Sequence, residues 1–225
     1  MRDFAAVIFD MDGLMIDSES AYWAAGRKLA ESYGKKVSDQ TLGRMMGRKP
    51  IESMQVFANE LGLDVSPQAL LHARDSSVFA TLQQSVTPMP GLLEALQMLR
   101  SRFKLAIATS AIRRFVDVVI EHLALHGYFD LIQTSDDVAH GKPDPEIYLK
   151  AMAKLKIEPA RCAVFEDSSN GALAGKRSGA YTVAVPSIYT REQDFSFVDF
   201  TAHDLLDAAG HILALQQQAE AARGR

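Results

Sequence analysis

Two aspartates, Asp10 and Asp12, follow a short run of pure hydrophobes, Ala5-Ala6-Val7-Ile8-Phe9, and stand just before Gly13. Two carboxylates this close repel each other unless a cation or a shared proton holds them. The pair therefore implies a metal ion or an acid/base task. Three more groups of reactive residues follow apolar runs in the same way. Thr109-Ser110 comes after Leu105-Ala106-Ile107-Ala108, and Glu166-Asp167 after Cys162-Ala163-Val164-Phe165. Lys142 lies in Gly141-Lys142-Pro143-Asp144-Pro145, in the loop beyond a run at Leu131-Ile132. If the runs are neighbouring strands, a hydroxyl, a lysine and four acids converge on one rim of a sheet.

That inventory suits phosphoryl transfer. Carboxylates from two strands are the hard oxygen ligands that Mg2+ takes, and the cation lets an anionic nucleophile approach an anionic phosphate. Asp10 is the candidate nucleophile, forming an aspartyl phosphate. Asp12 is the candidate acid for the departing alcohol and the base for the attacking water. Thr109, backbone amides near it and Lys142 are placed to hold nonbridging oxygens, with Ser110 beside them. Gly13 lets the backbone come close to a ligand. Uncatalysed monoester hydrolysis demands accelerations up to ~10²¹-fold, which favours several fixed positive groups and a covalent step.

The elements that must position these groups are legible in the pattern. The runs at Ala5 to Phe9, Leu105 to Ala108, Leu131 to Ile132, Cys162 to Phe165 and Thr182 to Val185 mostly lack in/out alternation, as strands covered on both faces do. Between them lie stripes at helical spacing: Leu92, Leu96 and Leu99, then Ile112, Phe115, Val116, Val119 and Leu123. Strands alternating with helices predict an α/β fold, a parallel sheet with right-handed crossovers and helices on its faces. Gly127 is expected to close the helix carrying His126. Asp144-Pro145 reads as an N-cap followed by proline at the first helical position, and Gly179 as the end of the helix after Asp167.

From Asp17 to Thr87 the alternation stops. Tyr22, Ala25, Leu29 and Tyr33 repeat at helical spacing up to Gly34, and two or three further helices are expected between Asp39 and Gln84. This predicts an all-helical insertion at 17–87, between the first strand and the rest of the sheet, in a core made of 1–16 and 88–225. Thr87-Pro88-Met89-Pro90-Gly91 marks the return crossing. The Gln- and Ala-rich tail from Gln216 is expected to be a fraying helix end.

Size and composition narrow the class. A chain of 225 residues buries a substantial core. A formal charge of −4 offers no electrostatic case for nucleic acid or an anionic membrane. No apolar stretch approaches the roughly 20 residues needed to cross a bilayer. Acids interrupt the N-terminal region at once, unlike a signal peptide. Cys162 is the single cysteine, which excludes an internal disulfide. The expectation is a cytoplasmic protein, by default a monomer.

In combination these motifs resemble the haloacid dehalogenase superfamily, in the branch with a helical cap after the first strand. Phe9-Asp10-Met11-Asp12-Gly13 matches its first motif, Thr109 the second, Lys142 the third and Glu166-Asp167 the fourth. The similarity extends to Asp17-Ser18-Glu19 and to Ser168-Ser169-Asn170-Gly171. The resemblance implies a Rossmann-like core, Mg2+ and a nucleophile at Asp10. It also implies a metal held by the Asp10 side chain, the Asp12 backbone carbonyl and Asp167, with Glu166 close by. Dehalogenases and phosphonate-cleaving members lack the second aspartate, so Asp12 argues against both.

The remaining contest is phosphatase against a phosphomutase of the β-phosphoglucomutase type. Such mutases carry a cap histidine where Tyr22 stands here, and a cap lysine and arginine where a gapless reading places Met46 and Pro50. Neither Met46 nor Pro50 grips a phosphate by charge, so hydrolysis of a small phosphorylated metabolite, a sugar phosphate above all, is the better reading. Tyr22, Arg48 and Lys49 are the candidate cap contacts. A non-catalytic binding relative is the alternative from another class, and the complete set of motif carboxylates argues against it.

Other features have bland readings. His122 and His126, one helical turn apart, lack the nearby glutamate of a zinc-protease motif and read as a solvated helix face. Cys162 reads as a small buried hydrophobe, and Trp23 as packing. Gly141-Lys142 lacks the upstream glycine and following Ser/Thr of a P-loop.

Overall fold

Side chains alternate between the two faces of a strand, yet every residue of the first strand, β1 (Ala6–Phe9), is buried. The sheet around it is therefore covered on both sides. The computed structural model describes residues 2–45 and 50–223. The chain falls into two compact units, Met1–Ile16 with Thr87–Arg225, and Asp17–Val86.

The first unit is built on β1, β2 (Lys104–Ala108), β3 (Leu131–Gln133), β4 (Cys162–Glu166), β5 (Tyr181–Ala184) and β6 (Phe200–Thr201). They form one sheet in the order β3-β2-β1-β4-β5-β6, every pairing parallel. β1 is central, with Phe9 beside Ile107 on one flank and Phe165 on the other. This register brings the carboxyl ends of β1, β2 and β4 level. The five sequence runs become β1 to β5, with ends shifted by a residue or so. β6 is new: two residues are too few to show a period.

One face of the sheet presents Ala6, Ile8, Ala106, Ala108 and Val164 to Tyr148, Ala151 and Met152 of the helix Glu146–Leu155. Val7, Phe9 and Ile107 point the other way and are equally buried. In chain order the helices are α1 (Ser18–Ser32), α2 (Asp39–Met45), α3 (Pro50–Leu61), α4 (Pro67–Gln84), α5 (Leu92–Arg100), α6 (Arg113–His122), α7 (Glu146–Leu155), α8 (Ser169–Arg177) and α9 (Leu205–Arg223).

Three readings of helix ends need correction. α6 stops at His122, because Ala124 takes a left-handed conformation there, and Gly127 serves a separate turn in which Tyr128 N–H donates to Leu125 O. His122 and His126 therefore do not share a helix: His126 pairs with Glu121, and His122 contacts the Val118 carbonyl. α7 begins one residue later than expected, and Asp144 Oδ1 accepts from the Glu146 N–H. The C-terminal helix is anchored where fraying was expected. Gln216 is buried, its Oε1 accepts from Phe4 N–H at 2.9 Å, and Arg223 pairs with Asp3 at 2.6 Å. Gly179 does end α8, in the left-handed region.

The second unit is a helical insertion made of α1 to α4. Asp17 caps α1 by accepting from Ser20 N–H, and Tyr33 and the left-handed Gly34 close it. Ser66 caps α4 ahead of Pro67. Its core is Leu29, Ala30, Leu42, Met45, Met54, Phe57, Ala58 and Leu70, with Trp23 packed against it. None of the described helices is long and apolar enough to cross a membrane.

Gln133, at the end of β3, is wholly buried, and neither its amide nitrogen nor its oxygen has a hydrogen-bond partner. A buried unsatisfied polar group costs about 1–3 kcal/mol. Gln133→Met, which keeps the volume and removes the amide, is expected to raise the melting temperature by ~2 °C or more in calorimetry. An unchanged or lower value would show that the amide is satisfied in solution.

Candidate active site

The order 3-2-1-4-5-6 reverses between β1 and β4, and open α/β sheets bind ligands outside the carboxyl ends of the strands at that reversal. Asp10 is the first residue after β1, Glu166 ends β4 and Asp167 follows it. Their placement follows from strand length and register, since each chain leaves the sheet level with its neighbour.

Beyond Asp10 the backbone folds into a tight turn. The Met11 carbonyl accepts from the N–H groups of Met15 and Ile16, and Gly13 N–H donates to Ile16 O. Gly13 has φ +80°, and a Cβ there would run into the Asp167 carboxylate. Glycine is thus required twice, for the left-handed turn and for the approach of β1's turn to β4's acid. Gly171 has the second role again: a Cβ on it would collide with the Glu166 carboxylate.

Lys142 joins the two strands. It donates to Asp10 Oδ1 at 2.5 Å, to Glu166 Oε1 at 2.6 Å and to the Ala108 carbonyl at 3.0 Å. An ammonium has three N–H donors, so all are committed. A phosphoryl oxygen engages this lysine only by displacing one of these acceptors. The loop carrying Lys142 is pinned by the start of α7. The Glu146 carboxylate accepts from the N–H groups of Ala139 and His140, and Lys150 and those N–H groups hold its pKa down at about 2. Arg177 donates to the Pro143 carbonyl.

Thr109 is fully buried at the end of β2. Its hydroxyl donates to Asp12 Oδ2 at 3.3 Å and accepts from Ala111 N–H at 3.0 Å. Ser110 is exposed beside it. Asp10, Asp12, Gly13, Thr109, Lys142, Glu166 and Asp167 are thus gathered at one rim. Tyr22 belongs to the helical unit, where Arg74 lies over its ring at 5.0 Å. Arg48 and Lys49 lie outside the described residues, as does Met46; Pro50 opens α3.

The electrostatics favour a cation. Asp10, Glu166 and Asp167 are all buried, and one carboxylate oxygen from each lies within 4.8 Å of the others. Burial pushes the Asp10 carboxyl up to about 8; Lys142 opposes this, while Glu166 and Asp12 add to it. Burial also disfavours the charge on Lys142, but Asp10 and Glu166 outweigh it and hold that pKa well above its ordinary value. The acids outnumber the ammonium that contacts them. A hard dication with oxygen ligands corrects this imbalance, so the donor set fits one.

Sequence reasoning missed two contributors. The Tyr148 hydroxyl donates to Glu166 Oε1 at 2.6 Å, and Ser168 Oγ donates to Glu166 Oε2 at 3.2 Å. Tyr148 sits in the apolar stripe of α7 with Ile147, Ala151 and Met152, so its spacing reads as core. Ser168 stood in the matched run after the acids without a role. It caps α8, accepting from Gly171 N–H. Cys162 is inert by contrast, its thiol pushed up to about 12 by burial.

Comparison with known proteins agrees with this geometry. Residues 7–185 match the family model described as haloacid dehalogenase-like hydrolase. A phosphorylated carbohydrates phosphatase of Thermotoga maritima is 39% identical over 178 residues, 77% of this chain and 81% of that one. A fructose-1-phosphate phosphatase of Escherichia coli is 30% identical, covering 81% of this chain and 96% of that one. A crystal structure of a T. maritima chain provisionally named a β-phosphoglucomutase superposes with a TM-score of 0.77 at 31% identity, over 94% of this chain and 99% of that one. With its parallel core, helical insertion and clustered motif residues, the chain belongs to the haloacid dehalogenase-like hydrolases.

Proposed function

We propose that this protein is a Mg2+-dependent phosphatase that hydrolyses a small phosphomonoester of the sugar-phosphate class through an aspartyl-phosphate intermediate. The observation that carries this reading is the buried junction of Asp10, Lys142 and Glu166, with Asp167 in the same carboxylate group. The sugar-phosphate class is supported by the names of the two phosphatase relatives.

Asp10, Asp167 and the Asp12 backbone carbonyl are the proposed metal ligands, with Glu166 adding its charge. When bound, the cation supplies charge neutralisation that lets a carboxylate meet a phosphate dianion. In this mechanism Asp10 attacks phosphorus while Asp12 gives its proton to the departing alkoxide, so the alcohol leaves neutral. Asp12, now ionised, takes a proton from water as that water attacks the aspartyl phosphate. Inorganic phosphate departs, Asp10 returns as a carboxylate, and Asp12 regains its proton. The Thr109 hydroxyl holds Asp12 in place for both transfers. The helical unit at 17–87 acts as a cap that selects the leaving group, with Tyr22, Arg48 and Lys49 as its contacts.

A mutase is the second reading, favoured by the likeness to the T. maritima chain named for that activity. The uncharged side chain of Pro50, at a place where such mutases grip phosphate, counts against it.

Three outcomes are expected. With Mg2+, purified protein releases phosphate from an aryl phosphate, and Asp10→Asn or excess EDTA abolishes release; turnover surviving either one contradicts the mechanism. Supplied with β-glucose 1-phosphate, it produces free phosphate; glucose 6-phosphate without free phosphate establishes the mutase. The third concerns pH. The folded-state pKa of Asp10, about 8 without metal, lies above the ordinary carboxylate value of about 3.9. Its contribution to stability is therefore complete below about pH 4 and is lost as pH rises through about 8. In EDTA at pH 8, Asp10→Asn is expected to melt above the unsubstituted protein, with the gap closing towards pH 4. Equal melting temperatures at pH 8 would show that Asp10 carries no such strain.

A further inference from the structure

Tyr148 is fully buried on α7, among aliphatic side chains and alanines that a phenylalanine ring would satisfy equally well. Only the hydroxyl distinguishes the two residues, and it makes one polar contact among the described hydrogen bonds, 2.6 Å to Glu166 Oε1. The same oxygen accepts from Lys142 Nζ, also at 2.6 Å, and Lys142 lies 4.9 Å from the centre of the Tyr148 ring. The other oxygen, Oε2, is held by longer bonds, 3.2 Å from Ser168 Oγ and 3.4 Å from Ser168 N–H.

The carboxylate torsion of a glutamate is broad and roughly two-fold, so its orientation is set by its hydrogen-bond partners. Two short bonds outweigh two long ones. Of the two short donors, Lys142 is itself on a flexible four-carbon stem and takes its position from its acceptors. Tyr148 has a rigid ring packed into the sheet face. It is the fixed point of the set: ring to hydroxyl, hydroxyl to Glu166, Glu166 to Lys142, Lys142 to Asp10.

We propose that Tyr148 is a positioning residue for the reaction, whose hydroxyl fixes Glu166 and through it the Lys142 ammonium against Asp10. Tyr148 touches neither substrate nor the reacting atoms. Its effect is to hold the ammonium at one place on the nucleophile, and small displacements of positioned groups are costly in rate.

This inference rests on the phosphatase reading, and the two fail separately. Absence of phosphate release from the unsubstituted protein defeats the reading, whereas the present proposal is decided by comparing variants. Steady-state turnover of an aryl phosphate is measured for Tyr148→Phe, Glu166→Gln and the double variant, with melting temperatures for each. Tyr148→Phe is expected to lower kcat about 10- to 100-fold, the usual range for partners that orient an active-site group, with KM unchanged and the fold retained. In the Glu166→Gln background the same substitution is expected to cost nothing further, because the group it acts through is already altered. Should Glu166→Gln fail to fold, Ser168→Ala serves as the background. There Tyr148→Phe is expected to cost more than in the unsubstituted protein, since Glu166 then loses both side-chain hydroxyls. Unchanged kcat in Tyr148→Phe overturns the proposal. So do losses that multiply independently in the double variants, or a loss of kcat explained by unfolding at the assay temperature.

Discussion

The site depends on one ammonium buried between two carboxylates. Lys142 is 7% exposed, Asp10 8% and Glu166 1%. Taking three charges out of water costs several kcal/mol apiece unless each is paired and hydrogen-bonded. Here Lys142 spends every N–H on an acceptor, and Glu166 receives donors on both oxygens. The cluster still holds more negative than positive charge, because Asp10, Glu166 and Asp167 gather around a single ammonium. That deficit is the physical reason the donor set fits a dication. In the proposed mechanism it also readies Asp10, since positive charge brought to the cluster offsets the cost of a buried carboxylate there.

The sheet makes this arrangement possible without long-range searching by flexible loops. β1 lies between β2 and β4 in parallel register, so residues that follow the three strands emerge side by side. The strand order reverses at β1 and β4, which opens a crevice between the connections leaving them. Asp10 and the Glu166-Asp167 pair flank that crevice. The acids need no length of their own to meet, and the glycines at 13 and 171 remove the atoms that would hold them apart.

Much of the support comes from helix ends. Ser168 caps α8 while also donating to Glu166, so one side chain satisfies a helix terminus and orients an acid. At the start of α7, Glu146 gathers the preceding loop through two backbone N–H groups, and Asp144 receives the Glu146 N–H. α7 then places Tyr148 two residues further on, beneath Lys142. The loop and the helix that follow β3 thus supply both the cation and the ring it rests on.

The sequence alone was enough for the elements whose signal is local. Apolar runs covered on both faces have no alternation, and this marked β1 to β5; helical spacing and capping residues marked most of the helices. The candidate inventory, Asp10, Asp12, Thr109, Lys142 and Glu166-Asp167, stood out because carboxylates, a hydroxyl and a lysine directly after buried strands have few structural reasons to be there. What only the tertiary structure decided were matters of which groups meet. β6 is two residues long and exists through its pairing with β5. The helix tail at Gln216 is held by Phe4 and Asp3, both more than 200 residues away in the chain. Tyr148 has the spacing of an ordinary core residue, and its hydroxyl acquires meaning only when β4 brings Glu166 within 2.6 Å. A periodic pattern records which face a side chain occupies. It carries no record of what lies across the gap, because that is set by register and packing between segments distant in the chain.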